Sequence, residues 1–244
     1  MYQQQDGQCI YVQNGAWAYD YTGFVAKDGD WWYVENVRIT FHCDGLVRGL
    51  VNGNDTWWYV TGSKVNFCNT VASNACGWWK ITNGRVDFDF SGLAENAYGW
   101  WKITNGQVDF GYVGYEQNGS NWWVVYGGQV WFHATDFLAG TGGGEYVWWN
   151  VCEGKVNFDD EVCENAYGWW KITTGKVDFQ YTGLAQNAGG WWYIQNGAVD
   201  FGYTGFGQNG NSWWYCRDGQ VHFDDTDVIE GTVNGTYGWW KVVN

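Results

Sequence analysis

A chain of 244 residues with 22 Trp, 17 Tyr, 13 Phe and 37 Gly, no Pro and one Met departs from average globular usage, and this composition favours strands and turns. A formal net charge of −14 speaks against the Lys and Arg patches that hold nucleic acid or anionic membrane surfaces. No stretch reaches the roughly 18 apolar residues of a membrane helix, so no membrane insertion is expected, and Met1 to Gly7 lack the basic and apolar regions of an export signal.

In chain order the first predicted hairpin is degenerate: Cys9-Ile10 stands 22 residues before Trp31, with Asn14-Gly15 at its turn. Adjacent Trp pairs then begin at Trp31, Trp57, Trp78, Trp100, Trp122, Trp148, Trp169, Trp191, Trp213 and Trp239. The steps are 26, 21, 22, 22, 26, 21, 22, 22 and 26, so a pattern of four recurs after 91 residues. Such a period predicts one repeat array over 1–244, with superperiods at about 1–30 (partial), 31–121, 122–212 and 213–244 (partial). The fold class expected is an all-β solenoid of about ten tandem hairpins plus a truncated one, elongated and almost free of helix.

One unit shows the logic. Trp100 to Thr104 and Gln107 to Phe110 flank Asn105-Gly106, and Asn-Gly between alternating runs is the strongest short hairpin signal. A two-residue loop sets Thr104 opposite Gln107, Ile103 opposite Val108, Lys102 opposite Asp109 and Trp101 opposite Phe110. Side chains alternate along a strand, so Trp101, Ile103, Val108 and Phe110 form the expected core face, and Trp100, Lys102 and Asp109 the other. Lys80 with Asp87 and Lys171 with Asp178 repeat the cross-strand pairing, as directly opposed side chains would. Ile103→Asp is then expected to disrupt packing and Lys102→Ser to be nearly silent.

The connectors, such as Tyr181 to Gly190, read as turns that re-aim the chain. Those before the 26-residue steps, His42 to Thr56, His133 to Val147 and Asp224 to Gly238, are longer and acidic. The closing run Trp239 to Asn244 reads as a first strand without a partner, an edge that predicts end-to-end self-association unless the chain comes from a longer array. Deleting Tyr237 to Asn244 is expected to reduce such association. Seven cysteines, none with a counterpart 91 residues away, exclude a complete disulfide framework and are expected to be free thiols.

The run Gly168 to Gly190, with the long connector Asp227 to Trp240, resembles the Trp-rich tandem repeats at the ends of secreted and cell-surface proteins of Gram-positive gut bacteria. More loosely it resembles choline-binding, glucan-binding and clostridial-toxin receptor-binding repeats. The resemblance covers essentially the whole chain. It implies a hairpin solenoid at the cell surface or outside the cell, attached to wall polymers or host glycans through aromatic pockets between neighbouring hairpins.

The candidate binding residues are the first Trp of each pair: Trp31, Trp57, Trp78, Trp100, Trp122, Trp148, Trp169, Trp191 and Trp213. Flat aromatic surfaces suit sugar rings and cationic headgroups. The competing expectation is that these indoles pack on the next connector as a second core layer. The hairpin from Trp122 adds Val124, Tyr126 and Trp131 as the best single contact candidate. The acidic run Asp224 to Asp227 lacks calcium-loop spacing and is expected to be a solvated loop; no metal and no cofactor are expected. His42, His133 and His222 have no acid, base and nucleophile around them, so no catalytic site is expected. The function expected is non-catalytic recognition of a repetitive carbohydrate or cell-wall polymer. A protein-binding scaffold or adhesin with a variable outer face is the alternative, and a structural stalk or self-assembling fibre a third.

Overall fold

The structure, a computed structural model, describes Tyr2–Gln3 and residues 9–243, with the side chains of 9–243. Among the described residues there are strands and turns and no helix. The chain divides into two compact units, residues 1–120 with 125–130, and residues 121–124 with 131–244. Each unit is an all-β solenoid of hairpins.

The repeat is three-stranded. In the first unit Gly92–Asn96 pairs antiparallel with Gly99–Thr104, which pairs with Gln107–Val108 across Asn105-Gly106. Asn105 and Gly106 take φ of 49° and 79°, the left-handed pair that a two-residue hairpin loop requires. The expected register holds: Ile103 faces Val108, Thr104 faces Gln107, and Asp109 N–H donates to Lys102 O at 2.9 Å. The connector, expected to be a turn, is instead a strand. It pairs Leu93 with Lys102 and Ala94 with Trp101, and so covers the edge of the Trp strand opposite the third strand. In the second unit Gly183–Asn187, Gly190–Gln195 and Ala198–Val199 repeat the pattern. The long connectors lengthen the hairpin: Gly45–Val51 pairs with Asn54–Thr61, and Asp136–Gly142 with Glu145–Cys152.

The two faces are both buried, which corrects the assignment of a core face and a solvent face. Trp101, Ile103, Val108 and Ala94 pack with Val71, Trp78 and Phe90 of the preceding hairpin. Val71 lies opposite Lys80, so the second face of one hairpin meets the first face of the next. Ile194, Val199 and Ala185 meet Val162 and Trp169 in the same way. Two residues depart from their expected places. Phe110 is 49% exposed, because it lies beyond the last paired residue of the third strand. Lys102 keeps only 12% of its side chain exposed and pairs with Glu116 at 2.8 Å, not with Asp109, its ammonium lying 5.3 Å from the Tyr112 ring.

A backbone ladder joins consecutive hairpins. From Trp32 to Trp192 the residue after the second Trp donates its N–H to the turn of the next hairpin, as in Lys80 to Gly106 O at 2.8 Å, Asn150 to Gly175 O at 2.8 Å and Lys171 to Gly197 O at 2.8 Å. A Cβ on Gly106 would lie 2.5 Å from Asp87 O, so glycine at the turn is required by close approach as well as by φ. The seven cysteines are free.

Candidate aromatic binding site

Stacking first face on second brings three aromatic rings together between neighbouring hairpins: the first Trp of one, and the second Trp and Phe of the next. The second indole is held by its turn. In Asn165-Ala166-Tyr167-Gly168 the Asn165 carboxamide oxygen accepts Tyr167 N–H at 2.9 Å and Trp170 Nε1–H at 3.3 Å. Asn74 does the same for Cys76 N–H at 2.8 Å and Trp79 Nε1–H at 3.2 Å. This is a side-chain mimic of a backbone turn, and it consumes the donor of the indole.

Two such sites hold open space. In the second unit a cavity of about 340 Å³ is lined by Phe137, Trp148, Asn165, Tyr167, Trp170, Val177 and Phe179. In the first unit a cavity of about 150 Å³ is lined by Trp57, Asn74, Cys76, Trp79, Val86 and Phe88. Six of the lining positions correspond after 91 residues: Trp57 to Trp148, Asn74 to Asn165, Cys76 to Tyr167, Trp79 to Trp170, Val86 to Val177 and Phe88 to Phe179. In both, the Phe stands edge-on to the second indole, 5.5 Å for Phe88 on Trp79 and 5.7 Å for Phe179 on Trp170. With the N–H of the second indole engaged, the walls present chiefly π faces and apolar surface. That chemistry suits a cation or the flat face of a sugar and offers little to an anion.

Other members of the candidate set fare differently. Trp78 packs on Trp101 at 5.0 Å and Phe110 at 5.9 Å, and Trp169 on Trp192 at 4.9 Å and Phe201 at 5.7 Å, so these indoles form a second core layer. Trp122 stacks on Trp149 at 6.5 Å with planes 10° apart, and Trp31 donates Nε1–H to Asn52 Oδ1 at 3.0 Å. Trp191 packs against Leu184, Cys216 and Val221. Trp100 is half-buried, and Trp213 lines a groove in the second unit. In the hairpin from Trp122, Tyr126 and Trp131 are exposed, but Val124 is buried, because its position in the Trp strand faces the following hairpin; the expectation of an exposed apolar contact does not hold at Val124. Sequence reasoning did not single out Trp79, Trp170, Phe88 and Phe179, whose positions it assigned to the core, or Asn74 and Asn165, which it left in connector turns. Both open sites follow a 21-residue step, and that was the available signal.

Internal ammonium groups already lie over second indoles elsewhere. Lys155 is 5.0 Å from the Trp123 ring and Lys176 5.2 Å from the Trp149 ring, each directly across the ladder from that Trp. Across from Trp170 stands Ala198 and across from Trp79 stands Gln107, so the open sites have no such lysine at that position. Beside Trp170, burial first and Glu161 second push the Cys163 thiol up to about 12, which keeps it neutral. Among the described residues no group of His, Cys, Asp or Glu is placed to hold a metal ion.

A family model described as "Choline-binding repeat" matches residues 20–36, 48–66, 89–109, 180–200 and 202–222. Its third match begins before the connector strand and ends after the third strand, the three-stranded unit seen in the fold. No curated protein matches the chain. Among solved structures the chain is similar to CbpJ from Streptococcus pneumoniae TIGR4, at 14% identity and a TM-score of 0.34, over 97% of this chain and 89% of that one. It is also similar to the modular autolysin LytC from Streptococcus pneumoniae in complex with a synthetic peptidoglycan ligand, at 10% identity and a TM-score of 0.39, over 91% of this chain and 53% of that one. The chain thus spans about half the length of the autolysin. Through these five segments the chain is similar to choline-binding repeats, which supports a cell-wall-binding repeat family.

Proposed function

We propose that the array is a non-catalytic cell-wall-binding module, acting at the cell surface or outside the cell, whose open aromatic sites take the quaternary ammonium headgroup of a repetitive wall polymer. The observation that carries this reading is the pair of corresponding cavities, each walled by two Trp, one Phe and an Asn that ties up the indole N–H. A quaternary ammonium has no hydrogen to donate, so a cage built mainly of π faces, with the second indole's N–H already engaged, is matched to it. Lys155 and Lys176 support the reading, since both place a cation over an indole of this fold. The net charge of −14 favours a cationic ligand over long range. Each site alone is weak, and linkage along a polymer supplies avidity.

Titration of the chain with choline, followed by Trp fluorescence and calorimetry, tests this against the neutral isostere in which carbon replaces the ammonium nitrogen. Saturable choline binding is expected, with the isostere weaker by the cation–π contribution of about 0.5–2 kcal/mol. Equal affinity for the two would remove the cation from the reading, and no saturable binding would remove the headgroup.

A further inference from the structure

Directly across the ladder from the second Trp of a hairpin stands a residue of the third strand of the next, and its identity changes along the chain. It is lysine opposite Trp32, Trp123 and Trp149, glutamine opposite Trp79, Trp101 and Trp192, and alanine opposite Trp170. Directly opposed residues project on the same face of a sheet, so each of these side chains begins beside an indole. Lysine is long enough to return over the ring. Lys64, Lys155 and Lys176 all do so, with the ammonium 5.9, 5.0 and 5.2 Å from the indole. Lys64 is also paired with Asp30 at 2.7 Å, but Lys155 reaches its ring with Asn121 in the place of that acid, so the indole itself is enough to hold the cation.

Glutamine ends elsewhere. Gln107, Gln129 and Gln220 donate Nε2–H to the turn carbonyls of Cys76, Tyr98 and Gly189 at 3.1, 2.8 and 3.1 Å, so the polar end is spent on the backbone and brings no charge. Ala198 does neither. The nearest atoms to a Cβ on Gly168 belong to Trp170 itself, whereas at Gly77 the nearest is Gln107 Nε2 at 2.3 Å. The two open cages are those of Trp79 and Trp170, and both carry a neutral residue at this position. Ala198 corresponds to Gln107 after 91 residues, and the cavity beside the alanine is the larger of the two.

We propose that this cross-ladder position sets which inter-hairpin sites accept a ligand cation: a lysine there is a tethered internal occupant that excludes an external ammonium, and Ala198 and Gln107 keep the two open cages receptive. The inference rests on the headgroup reading and names the residues that govern it. Two physical effects make the lysine exclusive. An ammonium over the indole takes the π face that the headgroup needs, and its charge repels a second cation held at the same ring. A tether also presents that ammonium at an effective concentration on the order of millimolar, which a single weak site in a polymer-binding array does not easily overcome. Ala198 and Gln107 are therefore specificity-determining residues, although neither lines the cavity it controls.

The test compares charge with bulk at one position. In a Trp57→Ala background, which leaves the second-unit cage, Ala198→Lys and Ala198→Gln are titrated with choline by calorimetry beside thermal melts. The lysine variant is expected to bind at least about tenfold more weakly than the glutamine variant, with both folded. Gln107→Lys in a Trp148→Ala background carries the same test to the first-unit cage, where at least about a tenfold loss against its parent is expected. Equal choline affinity of folded Ala198→Lys and Ala198→Gln, or an unchanged affinity in folded Gln107→Lys, would overturn the proposal and leave the headgroup reading standing. Parents that bind no choline would overturn the headgroup reading and this inference with it.

Discussion

Within each unit one aromatic triad is open and its neighbour is closed. In the second unit Trp148, Trp170 and Phe179 wall a cavity, whereas Trp169, Trp192 and Phe201, one hairpin on, collapse into contact. The first unit repeats the contrast with Trp57, Trp79 and Phe88 against Trp78, Trp101 and Phe110. The open triads follow a 21-residue step and the closed ones a 22-residue step. The extra residue brings an aromatic into the connector, Phe90 or Tyr181, and each packs on the same buried cluster as the closed pair of indoles. In the shorter connectors the corresponding stretches are Cys68-Asn69-Thr70 and Asp159-Asp160-Glu161. Connector length and composition therefore distinguish a first Trp that is core from one that is a pocket wall.

The comparison breaks most severely if the layer beneath the triads is itself different. Ile172 beneath the open triad and Ile103 in a closed one are both fully buried. Ile172→Asp and Ile103→Asp should each destabilise their unit by several kcal/mol in urea melts, since each buries an unpaired carboxylate. A tolerated Ile172→Asp would mean that the open site is loose packing.

The next effect separates the two kinds of Trp. Trp148 is 45% exposed and walls a cavity, so Trp148→Ala should lower choline affinity at that site at least about tenfold and shift stability by under about 1 kcal/mol. Trp169 is packed on two rings, so Trp169→Ala should cost about 3 kcal/mol and leave that choline site unchanged. Calorimetric titration beside thermal melts reads both. Identical behaviour of the two variants would erase the distinction.

Much of this was legible in the residues. Asn105-Gly106 set the loop, the loop set the register, and the register was observed at Ile103 and Val108. What alternation could not supply was which surface lies on each face, because a sequence shows that Trp100 and Lys102 share a side but not that another hairpin stacks there. That is why Lys102 was expected in solvent and Val124 was expected to be a contact. The connector strand was hidden for another reason. Gly92 to Asn96 is short and lacks clear alternation, and its pairing is imposed by the open edge of the Trp strand. The step lengths were visible from the start, yet their meaning depends on where Phe90 and Tyr181 pack.

A smaller effect sharpens the closed side. Lys171 is buried and donates to the Ile172 carbonyl with its ammonium 5.8 Å from the Tyr181 ring, whereas the open triad's hairpin carries Asn150 at that position. Lys171→Ser and Lys102→Ser should each cost about 1–2 kcal/mol by lost packing of the stem and lost charge-assisted bonding, where the sequence alone predicted near silence for Lys102→Ser. Denaturant midpoints check this, and a shift within error for both would restore the solvent-face reading.

The smallest effect lies at the rim, where the two open sites differ. Tyr167 closes one side of the larger cavity, and Cys76 occupies the corresponding position of the smaller one. Both rim residues are exposed at turns whose Asn carboxamides hold them alike, through Tyr167 N–H at 2.9 Å and Cys76 N–H at 2.8 Å. Exchanging one for the other should leave the backbone undisturbed and change only whether a fourth ring faces the headgroup. An additional exposed cation–π contact contributes about 0.5–1 kcal/mol, or roughly two- to fivefold in affinity. Cys76→Tyr should therefore strengthen choline binding at the first-unit site by that factor, and Tyr167→Cys should weaken the second-unit site by the same factor. Titrations in a Trp148→Ala background isolate the first site, and those in a Trp57→Ala background isolate the second. Changes of opposite sign at the two sites are the expected result; no change at either would show that three rings complete the cage and that the rim residue is only the tip of a turn.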